Sequence, residues 1–268
     1  MDTSYILKSG NVEVKRLALQ ALLFEKETMH TLKLAGIKPG MNCIDLGCGI
    51  GDVSLMMAEL VGPDGTVIGL DANSDLIKAC EKRASEQNVN NAKFLCGSVY
   101  DTGLGEGTFD FVFSRFLFQH LKEPKSAVKE MIRIASVDGT VAAEENDHGS
   151  WISYPELPQF ETLRQLYVNL LKLGGCDELI ARKLYKIFFD AGLNPQVAAY
   201  SMCVPMNREP FNKIGIMIAE VLKPKILALG IVSEKEFNDL ILAAKHYIED
   251  PSGIALYALT FRVCGKKQ

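Results

Sequence analysis

The chain has 268 residues, 48% of them hydrophobic and 23% charged, with 29 Lys and Arg against 33 Asp and Glu for a formal net charge of −4. That composition permits a sizeable core in one large domain or two small ones, and it excludes a disordered, collagen-like or disulfide-stapled miniature protein. No basic block offers the footprint that neutralises a phosphate backbone, so nucleic acid is not the expected partner.

Apolar residues recur at helical spacing from Val12 to about Gly36 (Val14, Leu17, Ala18, Ala21, Leu22, Met29, Leu32), which predicts one or two amphipathic helices. Lys38-Pro39-Gly40 reads as a turn, and Met41–Leu46 is a short apolar run entering glycines, the form of a buried parallel strand. The alternation continues with a helix over Asp52–Leu60, a strand over Thr66–Leu70, a helix over Ser74–Asn88 and a strand over Ala92–Cys96. Strands over Phe109–Phe113 and Gly139–Ala143 flank a helix over Pro124–Ala135. Such alternation implies βαβ units and a parallel sheet covered on both faces.

After Glu144 the pattern turns to long helices, Leu157–Leu173 and Asp177–Ala191, then a strand-like stretch from Gln196 to Val204. Helix follows over Pro210–Leu229, with a break expected near Pro224, and over Glu234–Ile248; Ile254–Val263 closes the chain as a strand. The helical excess between about 205 and 249 is too long for a plain connection and reads as a lid inserted before the last strand.

The longest uncharged stretch, Ala191 to Asn207, holds Pro195, Pro205, Asn194, Gln196 and Ser201 and does not suit a bilayer-spanning helix. The amino terminus lacks the basic and apolar regions of a signal peptide. Seven cysteines with no C-x-x-C pair point to free thiols in a reducing, cytoplasmic setting rather than a disulfide framework or a zinc site.

The sharpest motif is Asp45-Leu46-Gly47-Cys48-Gly49-Ile50-Gly51-Asp52, between the first strand and the next helix. Ligands of open α/β sheets bind outside the carboxyl ends of strands, where glycines let the backbone approach them. A dinucleotide fingerprint is incomplete because Asp52 stands at its third glycine position, and Asp45 and Asp52 together would repel a pyrophosphate. The two acids suit a ligand that brings positive charge. Asp71, twenty residues beyond Gly51 at the end of the second strand, is placed to accept hydrogen bonds from ribose hydroxyls.

Asp45 to Gly51, Asp71, the Phe109-Asp110-Phe111-Val112 strand and the segment Leu117–Pro124 together resemble class I S-adenosylmethionine-dependent methyltransferases, most nearly the small-molecule group that includes the ubiquinone and menaquinone biosynthesis enzymes. The resemblance covers about residues 1–145. It implies an α/β, Rossmann-like doubly wound sheet of seven strands, mostly parallel with an antiparallel last strand. It divides one domain into gate helices (1–36), core (37–204 and 250–268) and helical lid (205–249).

The resemblance also implies residue roles around S-adenosylmethionine. Asp45 would face the methionine ammonium, and Gly47, Cys48 and Gly49 would pass beneath the methionine and ribose portion. Asp71 would hold the ribose hydroxyls, and Ala72 would pack on adenine. Where the family commonly has Gly-Asp-Ala this chain has Gly97-Ser98-Val99, so the Ser98 hydroxyl or the backbone near Val99 must meet the adenine amino group. Ser114 and Arg115 end the fourth strand beside the methionine portion. Tyr5-x-Leu7 followed by Glu13-x-x-Arg16-Leu17-x-x-Gln20 is similar to the family's gate helix: Arg16 and Gln20, on one helix face, would reach a carboxylate, and Tyr5 would cover the methyl group or the substrate.

Methyl transfer from a sulfonium is an in-line displacement that needs no covalent enzyme intermediate, and a base only if the acceptor must lose a proton. His120 is the candidate base, although histidine there is more often structural in the family. Glu144, Glu145, Asp147 and His148 follow the fifth strand in a row, whereas metal sites gather ligands from separate elements, so no metal is expected. Trp151, Tyr154, Phe160, Phe116 and Phe118 are candidates for an apolar acceptor pocket. The expected activity is methylation of a small organic acceptor. The alternatives are a catalytically silent S-adenosylmethionine-binding module and, against the sense of Asp52, an NAD(P)-dependent oxidoreductase.

Overall fold

The computed structural model describes residues 11–268. The amino-terminal periodicity forms a single helix, α1 (Asn11–Leu34), followed by β1 (Asn42–Leu46), α2 (Asp52–Val61), β2 (Thr66–Asp71), α3 (Ser74–Glu86) and β3 (Ala92–Cys96). Then come β4 (Phe109–Arg115), α4 (Pro124–Ile134), β5 (Ala135–Asp147), β6 (Ile152–Tyr154), α5 (Pro158–Leu173) and α6 (Ile180–Asp190). The chain ends with β7 (Gln196–Tyr200), β8 (Cys203–Pro205), α7 (Ile214–Ala228), α8 (Glu234–Tyr247), β9 (Ile254–Leu256) and β10 (Leu259–Lys266).

The main sheet has seven strands in the order β3-β2-β1-β4-β5-β10-β7, parallel from β3 to β5, with β10 antiparallel to both its neighbours. This is the expected Rossmann-like α/β sheet. Its central strands are apolar on both faces, and the side-chain period of two divides the core. Cys43, Phe111, Phe113 and Ala142 face Leu32, Val53 and Met57 of α1 and α2. Ile44, Val112, Val141 and Ala143 face Val128, Met131, Leu184 and Phe188 of α4 and α6. The chain runs outward from β1 to β3, then returns to place β4 on the other side of β1. That reversal opens a crevice at the carboxyl ends of β1 and β4.

The last third differs from its linear reading. Gln196–Val204 divides into β7 in the main sheet and β8 in a second one, and Ile254–Val263 divides likewise into β9 and β10. β6, β9 and β8 form a small antiparallel sheet. Both breaks fall at one place and bind each other: the Tyr257 amide donates to the Met202 carbonyl at 2.9 Å and the Ser201 hydroxyl to the Tyr257 carbonyl at 2.6 Å. The expected break at Pro224 does not occur. α7 runs through it, because Ile216, Ala219, Leu222 and Ile226 pack its face against α5 and α8, and tertiary packing outweighs the local propensity.

α1 is bolted across the sheet by a buried carboxylate. Glu144 on β5, 0% exposed, accepts from the Thr28 hydroxyl at 3.0 Å, the Thr31 hydroxyl at 2.5 Å and the Tyr200 hydroxyl at 3.0 Å. Arg262 on β10 donates to the Glu27 carboxylate at 2.6 Å. Among the described residues no helix is long and apolar enough to cross a membrane. All seven cysteines are free.

Candidate functional site

The crevice holds a cavity of about 950 Å³ that runs from the glycine loop to the helices α5 and α7. Gly47, Gly49 and Gly51 have φ of 72°, 58° and 81°, a left-handed run that side chains resist. A Cβ on Gly49 would meet nothing closer than Leu17 at 3.9 Å, so the loop presents bare backbone to the open cavity. Asp71 fixes this loop: one carboxylate oxygen accepts the Gly49 amide and the other the Asn73 amide, each at 2.9 Å. Each oxygen retains a lone pair. Burial raises the pKa of Asp71, and the two amides oppose that rise.

Asp45 lies below the loop, almost wholly buried, and accepts the Ser54 hydroxyl at 2.7 Å. Burial pushes its pKa up to about 6, against the pull of Ser54 and the nearby Arg115 guanidinium. Asp52 behaves otherwise than the sequence suggests. Its carboxylate pairs with Arg83 at 2.6 Å, and the same guanidinium donates to the Ile50 carbonyl at 2.6 Å, so Asp52 helps clamp the loop to α3 instead of facing a ligand as a lone charge. The Cys48 thiol is held protonated by its hydrogen bond with Cys80 and by burial, and the Cys80 thiol donates to the Gly49 carbonyl at 3.2 Å. Cys48 is therefore a packing residue whose surface completes the cavity floor.

Ala72, Ser98 and Val99 line the same end of the cavity. The Ser98 hydroxyl accepts the Tyr100 amide at 3.2 Å and is still free to donate. Ser114 departs from expectation: it is fully buried within β4, between Leu46 and Ala143 in register, and is not part of the cavity wall. Arg115, one residue on, does reach the wall, where it donates to the Thr28 hydroxyl at 2.9 Å. Arg16 and Gln20 project from α1 into the cavity. The Arg16 guanidinium is already gripped by Glu13 at 2.8 and 2.7 Å and donates to the Gln20 carbonyl at 2.6 Å. Tyr5 lies outside the described residues.

Midway along the cavity stands a polar cluster that only the fold assembles. The Gln119 side-chain carbonyl accepts the His148 Nε2 proton and, at 3.1 Å, the Tyr167 hydroxyl, while its amide donates to the Phe116 carbonyl at 3.2 Å. The Trp151 indole donates to His148 Nδ1 at 3.3 Å, which assigns His148 the neutral Nε2–H tautomer. Burial lowers His148 to about 4, and burial, His148 and Arg16 together lower His120 to about 3. Both imidazoles are neutral near pH 7. Asp147 gives its carboxylate to Arg182, at 2.5 and 2.8 Å, and does not orient His148. Among the described residues no group of three or more His, Cys, Asp or Glu could hold a metal ion.

The sequence overlooked Gln119, which sits inside the Leu117–Pro124 segment next to His120, and Tyr167, which nothing in α5 distinguishes from an ordinary core tyrosine. Of the aromatic residues expected around an acceptor, Phe116, Trp151 and Phe160 line the cavity. Phe118 is buried in the core beneath α4 and α6, and Tyr154 is exposed on β6.

Residues 37–187 match the family model described as a methyltransferase domain. Demethylmenaquinone methyltransferase of Listeria monocytogenes is 28% identical over 145 residues, which is 54% of this chain and 59% of that protein. The chain thus matches under two thirds of the length of these curated relatives. Among solved structures, a SAM-dependent methyltransferase of Aquifex aeolicus superposes with a TM-score of 0.51 at 21% identity, over 64% of this chain and 82% of that one. Phosphoethanolamine N-methyltransferase 2 of Haemonchus contortus, in complex with S-adenosyl-L-methionine, gives 0.59 at 19% identity, over 93% and 56%. These two share the fold, and the family match spans over half of the chain, which belongs to the methyltransferase domain family.

Proposed function

We propose that the chain transfers the methyl group of S-adenosylmethionine to a small organic acceptor. One observation carries the reading: a single cavity joins the Asp71-clamped glycine loop to an apolar chamber under α7, so donor and acceptor share one space. The donor supplies an electrophilic methyl group, whose bond to sulfur breaks as the acceptor's lone pair forms the new bond.

The residues present fit that donor. Asp71 keeps lone pairs for two ribose hydroxyls, and the bare backbone at Gly49 leaves room for a sugar. Asp45 supplies a buried negative charge suited to an ammonium, and Arg16, Gln20 and Arg115 on the cavity wall suit a carboxylate. Ser98 offers a hydroxyl in place of the family's adenine-binding acid. Orientation in a largely apolar chamber is then the principal contribution to rate. With its pKa near 3, His120 serves as a neutral hydrogen-bonding group rather than a proton acceptor.

Calorimetric titration with S-adenosylmethionine tests the reading, and absence of binding at millimolar concentration overturns it. Incubation of the protein with labelled donor and cell extract, with mass analysis of products, separates an enzyme from a silent binder: the enzyme yields S-adenosylhomocysteine and a methylated metabolite.

A further inference from the structure

Beyond the polar cluster the cavity enters the helical layer, and its wall there is a stripe along one face of α7: Ile214, Gly215, Ile218, Ala219, Leu222 and Ile226. At 1.5 Å per residue this stripe is about 18 Å long. Phe160, Leu163 and Tyr167 of α5 form the facing wall. The two small residues, Gly215 and Ala219, create the width; a Cβ on Gly215 would already come within 3.3 Å of the Phe160 ring. The stripe ends at Leu222 and Ile226, each 1% exposed, where the lobe closes. α7 lies beyond residues 37–187, so the α7 wall of this chamber comes from a part of the chain that the family match does not cover, whereas the facing α5 wall lies within it.

The charges around the lobe are committed elsewhere. Arg164 chelates the Glu161 carboxylate at 2.7 and 2.5 Å and donates to the His148 carbonyl at 2.6 Å. Arg16 is balanced by Glu13, and on the reading above its remaining capacity faces the carboxylate of the donor. The histidines beside the lobe, His120 and His148, are uncharged, and α5 and α7 place no carboxylate on the cavity wall. An ammonium, phosphate or carboxylate headgroup would enter this chamber without a counter-charge, at a large desolvation cost.

We propose that this lobe is the acceptor subsite and that it takes a neutral, elongated and largely apolar molecule, with its polar reactive end at the Gln119–Tyr167 cluster and its apolar body along α7. The inference rests on the methyltransferase reading above and adds to it the class of acceptor.

The test uses the full chain saturated with S-adenosylhomocysteine, and N-phenyl-1-naphthylamine as a neutral apolar probe whose fluorescence rises in a dry site. The expected result is saturable binding of one probe per chain at micromolar concentration, resisting millimolar choline, phosphocholine or glycine. Ala219→Phe and Ile218→Phe, which fill the lobe from two positions, should each weaken the probe at least tenfold while the S-adenosylhomocysteine affinity and the thermal midpoint stay close to wild type. The proposal falls if the probe does not bind to chain that binds S-adenosylhomocysteine, if both variants bind it as wild type does, or if the charged compounds displace it. Failure of S-adenosylhomocysteine itself to bind overturns the methyltransferase reading, and the acceptor assignment with it.

Discussion

Asp71 has two tasks that one substitution separates. Its carboxylate accepts the Gly49 and Asn73 amides at 2.9 Å each, and Asn73 in turn caps α3 by accepting from the Asp75 amide at 3.0 Å. Hydrogen bonds to a charged acceptor contribute about 1.5–3 kcal/mol apiece. The raised pKa of Asp71 shows that burial offsets part of this, so the low end of the range is appropriate. Asp71→Ala should cost about 3 kcal/mol of stability, a fall of about 6–12 °C in thermal midpoint for a chain of this size. If the same carboxylate also holds the ribose hydroxyls, the variant should bind S-adenosylhomocysteine about 5–150-fold more weakly, a loss of about 1–3 kcal/mol.

Calorimetry and thermal melting on one protein sample separate the two tasks. A lower midpoint with unchanged affinity would show that Asp71 only clamps the loop and that the ribose is held elsewhere. Asp71→Asn sharpens the comparison, because its carbonyl can still receive one amide while its NH2 faces the other donor. It should keep part of the stability and lose most of the affinity.

What could be read from the sequence was local. The Asp45–Asp52 loop and Asp71 lie within one βαβ unit, so strand, turn and helix signals fix their mutual placement, and the Cys43–Leu46 and Phe111–Phe113 runs report burial on both faces. What could not be read was assembled over distance. The meeting of Gln119 with Tyr167 spans 48 residues, and that of Thr31 with Glu144 spans 113, with no periodicity to announce either. Ile254–Val263 reads as one strand because it is a nearly continuous apolar run with no Gly or Pro to divide it. Its division at Tyr257-Ala258 is imposed by Ser201 and Met202, whose hydrogen bonds bend both segments at once. Asp52 shows the same limit for charge: its sign was legible, but the Arg83 that neutralises it comes from the next helix, 31 residues on.

Glu144→Gln replaces an acceptor oxygen with a donor amid the Thr28, Thr31 and Tyr200 hydroxyls, and should destabilise the chain by about 3 kcal/mol in urea denaturation. Gln119→Leu leaves the His148 Nε2 proton and the Tyr167 hydroxyl without their shared acceptor, and should cost about 2–4 kcal/mol by the same measurement. Asp45 makes stability and affinity respond to pH in opposite directions. Its folded pKa, about 6, exceeds the ordinary 3.8, so between those values the folded state binds the extra proton and stability rises as pH falls, by about 3 kcal/mol in total. The ammonium of the donor calls for the ionised form, so affinity for S-adenosylhomocysteine should fall as pH drops through about 6. Of the charges that act on Asp45, Arg115 lowers its pKa and Asp71 raises it, and neither removes the effect. Asp45→Asn should flatten both responses between pH 5 and 7.5. An affinity that is flat in the wild type over that range would mean that Asp45 does not face the ammonium, whatever the stability does.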